Sequence, residues 1–442
     1  MKNKVLKSAV IALIVLAVAL AGFAAGYFTH KLSRGNSVSS YEWFVDTVGK
    51  YYYFGADETQ FTGSGLSYIA DKYLDRYSEY YTKEEYEREQ KSNEGSKSGL
   101  GLSYGFAEGK GIYVASVIGN SPAYMQGLRA GEWLVSGGKG GEVSPFGSAS
   151  DFSALVSSAG DGEEITLVSS GGKEYTVAKA EYTASYTYMA TQTTAWTFGD
   201  SADGGLAVYE TPGEKIPCLP QGCAYIRLSQ FYGTADKEFY RLIEKFNAEK
   251  CTSLVLDLRT NGGGYVRTMQ AIAGCFAEGE SKLAMVARDK NGKEQRYNCA
   301  KISDPAQRVS PDTEVYVLAN SSTASASEAL MGAMICYGTL GYENIFLSDY
   351  SEEYLDYLKK SGGEVKTART YGKGIMQTPF ENKATGEVLK LTTAKIFWSD
   401  CTTSIHDRGI TVADGCIPLK AEWQSTLPDS ELELACEIIS KR

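Results

Sequence analysis

The chain has 442 residues, room for two or three domains and a substantial core. Its 44 basic and 54 acidic residues give a net charge of −10 with no basic block, which excludes nucleic acid as a partner. Two histidines, His30 and His406, rule out a histidine-rich metal site, and nine scattered cysteines do not make a disulfide framework. No metal or cofactor is expected. Cys218 and Cys223 are the one close cysteine pair, and a local bridge between them stays open.

Residues 8–30 carry no formal charge, are mostly aliphatic, and follow Lys2, Lys4 and Lys7. As a helix they cover about 34 Å, against roughly 30 Å of hydrocarbon core. A signal peptide has a shorter apolar region, ~7–15 residues, so residues 1–35 read as a membrane anchor with a cleaved signal as the alternative. Either way the lysines stay inside, and the rest of the chain works outside the cytoplasm at a single-pass cell membrane. Residues 36–95 read as a helical region, with apolar residues at Trp43, Phe44, Val48, Tyr52, Leu66, Ile69 and Tyr73. A polar, glycine-containing linker over 91–99 marks a boundary.

Residues 96–182 read as a small β-domain. Gly99-Leu100-Gly101-Leu102 is a flexed turn entering a strand, and strands follow at Ile112–Val117, Trp133–Val135, Glu164–Val168 and Glu174–Ala178. Ser121-Pro122-Ala123 opens a short helix. Backbone N–H groups in such a turn, beside a free strand edge, suit the carboxylate of an extended peptide. The order of elements resembles a PDZ domain, with Gln126 and Glu132 as departures, and this resemblance assigns Gly99, Leu100, Gly101 and Leu102 to peptide C-terminus binding.

From 183 to 442 the core alternates strand and helix: Ala224–Leu228, Ala235–Lys250, Ser253–Leu258, Tyr265–Ala277. That pattern predicts a parallel sheet with crossover helices in a mixed α/β protein. Asn291-Gly292 predicts a hairpin between Leu283–Arg288 and Gln295–Cys299. Val315–Ala319 is a buried strand, Ala326–Tyr337 a helix, and Gly338 its left-handed cap. Between them Ser321 to Ser325 make a tight turn that can expose a hydroxyl at the positive end of the helix. Ser325 is the candidate nucleophile. With His406 as the one available imidazole, the alternative base is a lysine kept neutral, and Lys373 sits between Gly372 and Gly374 with Gln377 four residues on. Its pKa must fall by about three units, or about 4 kcal/mol, to serve near neutrality.

Three segments stand in fixed order: Asp257-Leu258-Arg259 to Gly264, Thr323-Ala324-Ser325 to Glu328, and Tyr371-Gly372-Lys373 to Gln377. Together with Leu74–Tyr81 and Ser404–Ile410 they resemble the carboxy-terminal processing proteases, over about residues 40–420. The resemblance implies a ClpP/crotonase-like core of ββα repeats and a serine endopeptidase. It makes Ser325 the nucleophile, Lys373 the base and Gln377 its orienting partner. Ala326 and a glycine of 262–264, here Gly263, supply oxyanion-hole N–H groups. The implied partner is a polypeptide with an exposed C-terminus; a second copy of the chain, as a homodimer, is a separate partner expectation that the sequence leaves open. Glu328 is assigned no chemistry beyond a first-turn carboxylate, and His406 a structural place. The chain departs from the family at Gly262, where proline is usual, and in residues 348–370, which read as an inserted charged helix and a Gly-Gly turn before Lys373. These departures also allow a peptide-binding scaffold without turnover. An acyl-CoA-handling enzyme is a third reading, since crotonases share the glycine-rich oxyanion loop.

Overall fold

Five parallel strands carry the centre of the fold: β1 (Cys223–Leu228), β2 (Ser253–Asp257), β3 (Glu314–Ala319), β4 (Ile345–Tyr350) and β5 (Ile417–Ala421), adjacent in that order. The helices beside them are α1 (Ala235–Ala248), α2 (Val266–Gly274), α3 (Ala326–Tyr337) and α4 (Ser430–Ile439). The computed structural model describes residues 40–58, 61, 65–201, 205–278, 281–350, 367–421 and 429–442. The apolar segment 8–30 lies outside them. Among the described residues no helix is long and apolar enough to cross a membrane.

Side chains alternate across a strand, so each core strand feeds two layers. Ile226, Leu256, Val317 and Leu347 face one side, where Phe239, Leu242, Ile243 and Phe246 of α1 cover them. Tyr225, Val255, Leu318 and Phe346 face the other, against Leu432, Ala435, Cys436 and Ile439 of α4. Each fully buried large side chain contributes about 1.5–3 kcal/mol. Burial on both faces explains why these strands read as unbroken apolar runs. Helix α3 is buried almost all round and is correspondingly rich in small residues. Gly332 is fixed by packing, because a Cβ there would lie 2.3 Å from the Trp398 indole. Three antiparallel strands, Thr187–Ala190, Ala195–Asp200 and Leu206–Glu210, extend the sheet beyond β1 to eight.

Two compact units divide the described residues: those within 88–376 and 394–442, and those from 40 to 87 with 377–393. The larger unit also holds a six-stranded antiparallel sheet within residues 102–178. Leu102–Ala107 is its edge, pairing with Gly111–Val117 alone among the described residues. Ile112, Leu134, Leu167 and Val177 fill the centre of this sheet with Phe152. Phe152 comes from a helix, Ala149–Ser158, opened by a Ser148–Asp151 capping box. The hairpin at Asn291-Gly292 forms as expected, between Leu283–Asp289 and Glu294–Asn298.

In the smaller unit, helices Ser40–Tyr51 and Leu66–Tyr73 pack Phe44, Val48, Ile69 and Ala70 around Leu389 and Leu391. The expected helical region is interrupted by a strand, Glu79–Tyr81, paired antiparallel with Val388–Lys390. Residues 348–370 also need correction. Ser348, Asp349 and Tyr350 end β4 and pair with Leu419, Lys420 and Ala421. Thr370 is buried. Residues 351–366, where the inserted helix and Gly-Gly turn were expected, lie outside the described residues.

Candidate active site

Ser325 sits where β3 turns into α3, with φ 59° and ψ −113°. A non-glycine residue in that region is strained and persists only when its surroundings hold it. They do so here. Thr323 donates its hydroxyl to the Leu258 carbonyl at 2.7 Å, and Ala324 donates its N–H to the Asn261 carbonyl at 2.9 Å. The buried Ser327 hydroxyl reaches the same Asn261 carbonyl at 3.0 Å. Thr323, Ala324 and Ser327 are buried, whereas Ser325 between them keeps some exposure.

The carboxylate of Glu328, fully buried one turn into α3, gathers the site. Its Oε2 accepts the backbone N–H of Ser325 at 3.0 Å and that of Lys373 at 2.9 Å. Its Oε1 accepts the Thr370 hydroxyl at 2.5 Å and the Gly372 N–H at 2.8 Å. Burial pushes the Glu328 carboxyl up from its ordinary value, and these four bonds oppose the rise. The sequence reading missed this role. The available signal was an acid in a helix that has no other charge from Ala326 to Tyr337.

Two glycines flank Lys373 because backbone passes close to each. A Cβ on Gly372, at φ 89°, would lie 2.9 Å from the Gly409 N, and one on Gly374 2.7 Å from the His406 N. Tyr371 donates its N–H to the Thr323 carbonyl at 3.0 Å, fastening this loop to the serine turn. The segment before it is closed at its base, where Ala368 N–H meets the Ser348 carbonyl at 2.8 Å. The extra length between Ser325 and Lys373 therefore does not displace the lysine loop. His406 lies against Gly374 and faces Asp407 at 3.5 Å.

Gly263, at φ 101°, lies against the serine turn. A Cβ there would stand 2.9 Å from both the Ala326 N and the Ser325 Cβ. Its own N–H donates to Asn261 Oδ1 at 2.9 Å, while no acceptor for the Ala326 N–H occurs among the described residues. Behind the loop, Arg259 reaches Asp257, Asp429 and Glu431 at 2.8, 2.8 and 2.7 Å. Burial pushes the Asp257 and Asp429 carboxyls up, but the Arg259 charge and hydrogen bonds outweigh it and hold both below their ordinary value.

Gln377 belongs to the smaller unit, where its amide donates to Thr392 Oγ1 at 3.0 Å. Thr392 donates in turn to Asp75 Oδ1 at 3.1 Å. Asp75 also accepts the Ser78 hydroxyl at 2.7 Å, so Leu74–Tyr81 is built around the strand that holds Gln377's partner. At the edge of the antiparallel sheet, Leu100 is buried, Gly99 and Gly101 have φ 125° and 79°, and Leu102 starts the edge strand.

Residues 222–339 match the model of peptidase family S41. Proteins described as CtpA-like serine proteases are similar along most of the chain. One from Staphylococcus epidermidis is 23% identical over 402 residues, covering 91% of this chain and 70% of that protein. One from Staphylococcus saprophyticus is 24% identical over 407 residues, covering 90% and 70%. In fold, an S41 protease structure from Bacteroides fragilis, 13% identical, superposes with a TM-score of 0.56 over 90% of this chain and 97% of its own.

Proposed function

We infer, for a chain that is a serine-type peptidase of the carboxy-terminal processing protease family, that polypeptides are cleaved by a Ser325/Lys373 dyad. In acylation the neutral Lys373 amine takes the hydroxyl proton as Ser325 Oγ bonds to the scissile carbonyl carbon. The carbon–nitrogen bond then breaks, and the proton passes to the leaving amine. Water, deprotonated by the same amine, releases the acyl group and restores the serine. The Ala326 N–H, at the positive end of α3, faces the developing oxyanion, and Gly263 is its companion if it exchanges Asn261 Oδ1 for that oxygen. Gln377 orients the lysine.

The observation that carries this reading is the single Glu328 oxygen bonded to the N–H groups of both Ser325 and Lys373. Substrate C-termini are read by Gly99–Leu102 and the open edge of Leu102–Ala107, which supports strand addition. Residues 8–30 anchor the chain in the cell membrane with the peptidase outside the cytoplasm. Full-length chain in detergent is expected to cleave an unfolded polypeptide, with cleavage lost in Ser325→Ala and in Lys373→Ala. Cleavage surviving either substitution rejects the dyad.

A further inference from the structure

Nine cysteines are free thiols, and one pair stands apart: Cys218 Sγ lies 3.6 Å from Cys436 Sγ. No second pair of cysteine sulfurs is hydrogen-bonded among the described residues. Cys223, the sequence neighbour, is turned elsewhere, its sulfur 3.7 Å from the Ala224 carbonyl inside β1. We propose that Cys218 and Cys436 form a disulfide bond, a covalent tie between the loop before β1 and helix α4.

A bond of about 2.05 Å requires the sulfurs to close by about 1.5 Å, within reach of side-chain rotation. Cys218 is half-buried and accessible, whereas Cys436 is buried on the inner face of α4. Cys218, the accessible partner, therefore meets an oxidant first, and its contact with Cys436 holds its thiol below the ordinary value, which favours attack from that side. The oxidant is a small disulfide. Cys218 attacks it, forming a mixed disulfide and releasing one small thiol. Cys436 then loses its proton and attacks the Cys218 sulfur, and the second small thiol leaves. Two electrons and two protons pass from the protein to the small disulfide.

The bond lies at a point with leverage. The first turn of α4 carries Glu431 behind its cap Asp429, and both hold Arg259, the residue before Thr260 and the glycine loop. Tying α4 to Cys218 therefore stiffens the support of the candidate oxyanion site.

The test exposes reduced full-length chain in detergent to oxidised glutathione, removes it, and maps thiols by mass. The mass is expected to fall by two hydrogens, with the Cys218 and Cys436 peptides joined and no change in Cys218→Ser. The melting temperature should rise by about 5 °C on oxidation, and Cys436→Ala should abolish that rise. Two thiols that remain open to alkylation, a Cys218–Cys223 link, or an unmoved melting temperature overturns the proposal. None of these readouts depends on the chain's own cleavage activity.

Discussion

Lys373 and Ser325 share one acceptor: their backbone N–H groups converge on Oε2 of Glu328 at 2.9 and 3.0 Å. They stand 48 positions apart in the chain. A single carboxylate thus fixes two loops that would otherwise drift independently, and it does so from a helix whose position the core dictates. Removing its charge tests the arrangement. In Glu328→Gln one oxygen becomes an NH2 group that faces donors. Stability is expected to fall by about 3 kcal/mol and turnover by at least about 100-fold. Denaturant titration beside peptide cleavage checks both; a variant with intact turnover rejects the role.

The close contact of Gly263 with the serine turn gives a second prediction. In Gly263→Ala the new methyl occupies space 2.9 Å from the Ala326 N, where an oxyanion would sit. The expected loss is about 10²–10³-fold in kcat with little change in KM. Pre-steady-state cleavage of a reporter peptide measures it. Gly262→Ala, with no atom within 4 Å of its Cβ, is the control and should stay near wild-type activity.

Arg259 predicts the acid limit of the fold. Asp257 and Asp429 have lowered pKa values, so their ionisation stabilises the folded chain above about pH 4, the ordinary aspartate value. That contribution disappears as pH falls through the lowered values, and stability should drop steeply in that window. Arg259→Met leaves the buried Asp257 and Glu431 and the half-buried Asp429 without their cation. It should cost about 3–5 kcal/mol at pH 7. The difference from wild type should narrow below about pH 4 as the carboxyls protonate. Parallel melting curves from pH 3 to 8 decide it, and a constant gap removes the argument.

What the sequence disclosed follows from the range of the forces involved. Strands buried on both faces, such as β3, and the amphipathic α1 announce themselves through local periodicity. The turn at Ser325 and the glycines beside Lys373 are legible because tight backbone geometry admits few residue types. Glu328 was passed over because its function depends on Thr370, Gly372 and Lys373, which a first-turn carboxylate does not reveal. The same holds for Cys218, whose partner lies 218 positions away instead of five. Ser348 to Tyr350 were assigned to an insertion because their charge and tyrosine content hides a strand end that pairs with β5.

Thr392 gives the last prediction, and it concerns how Gln377 is held. The threonine is fully buried. It accepts from the Gln377 amide at 3.0 Å and donates to Asp75 at 3.1 Å. Thr392→Val keeps the shape and removes both bonds, so the expected stability loss is about 1–2 kcal/mol. If Gln377 serves turnover in the orientation this chain of bonds sets, the cleavage defects of Thr392→Val and Gln377→Ala must not add. The double variant should be no slower than Gln377→Ala alone, a coupling that a double-mutant cycle on cleavage rates reads directly. A threonine acting only through packing gives additive losses instead. Asp75→Asn provides the second arm, because it keeps the volume and weakens the acceptor for Thr392. Its defect should likewise vanish in the Gln377→Ala background, and additivity in both arms removes Gln377 from the end of this relay.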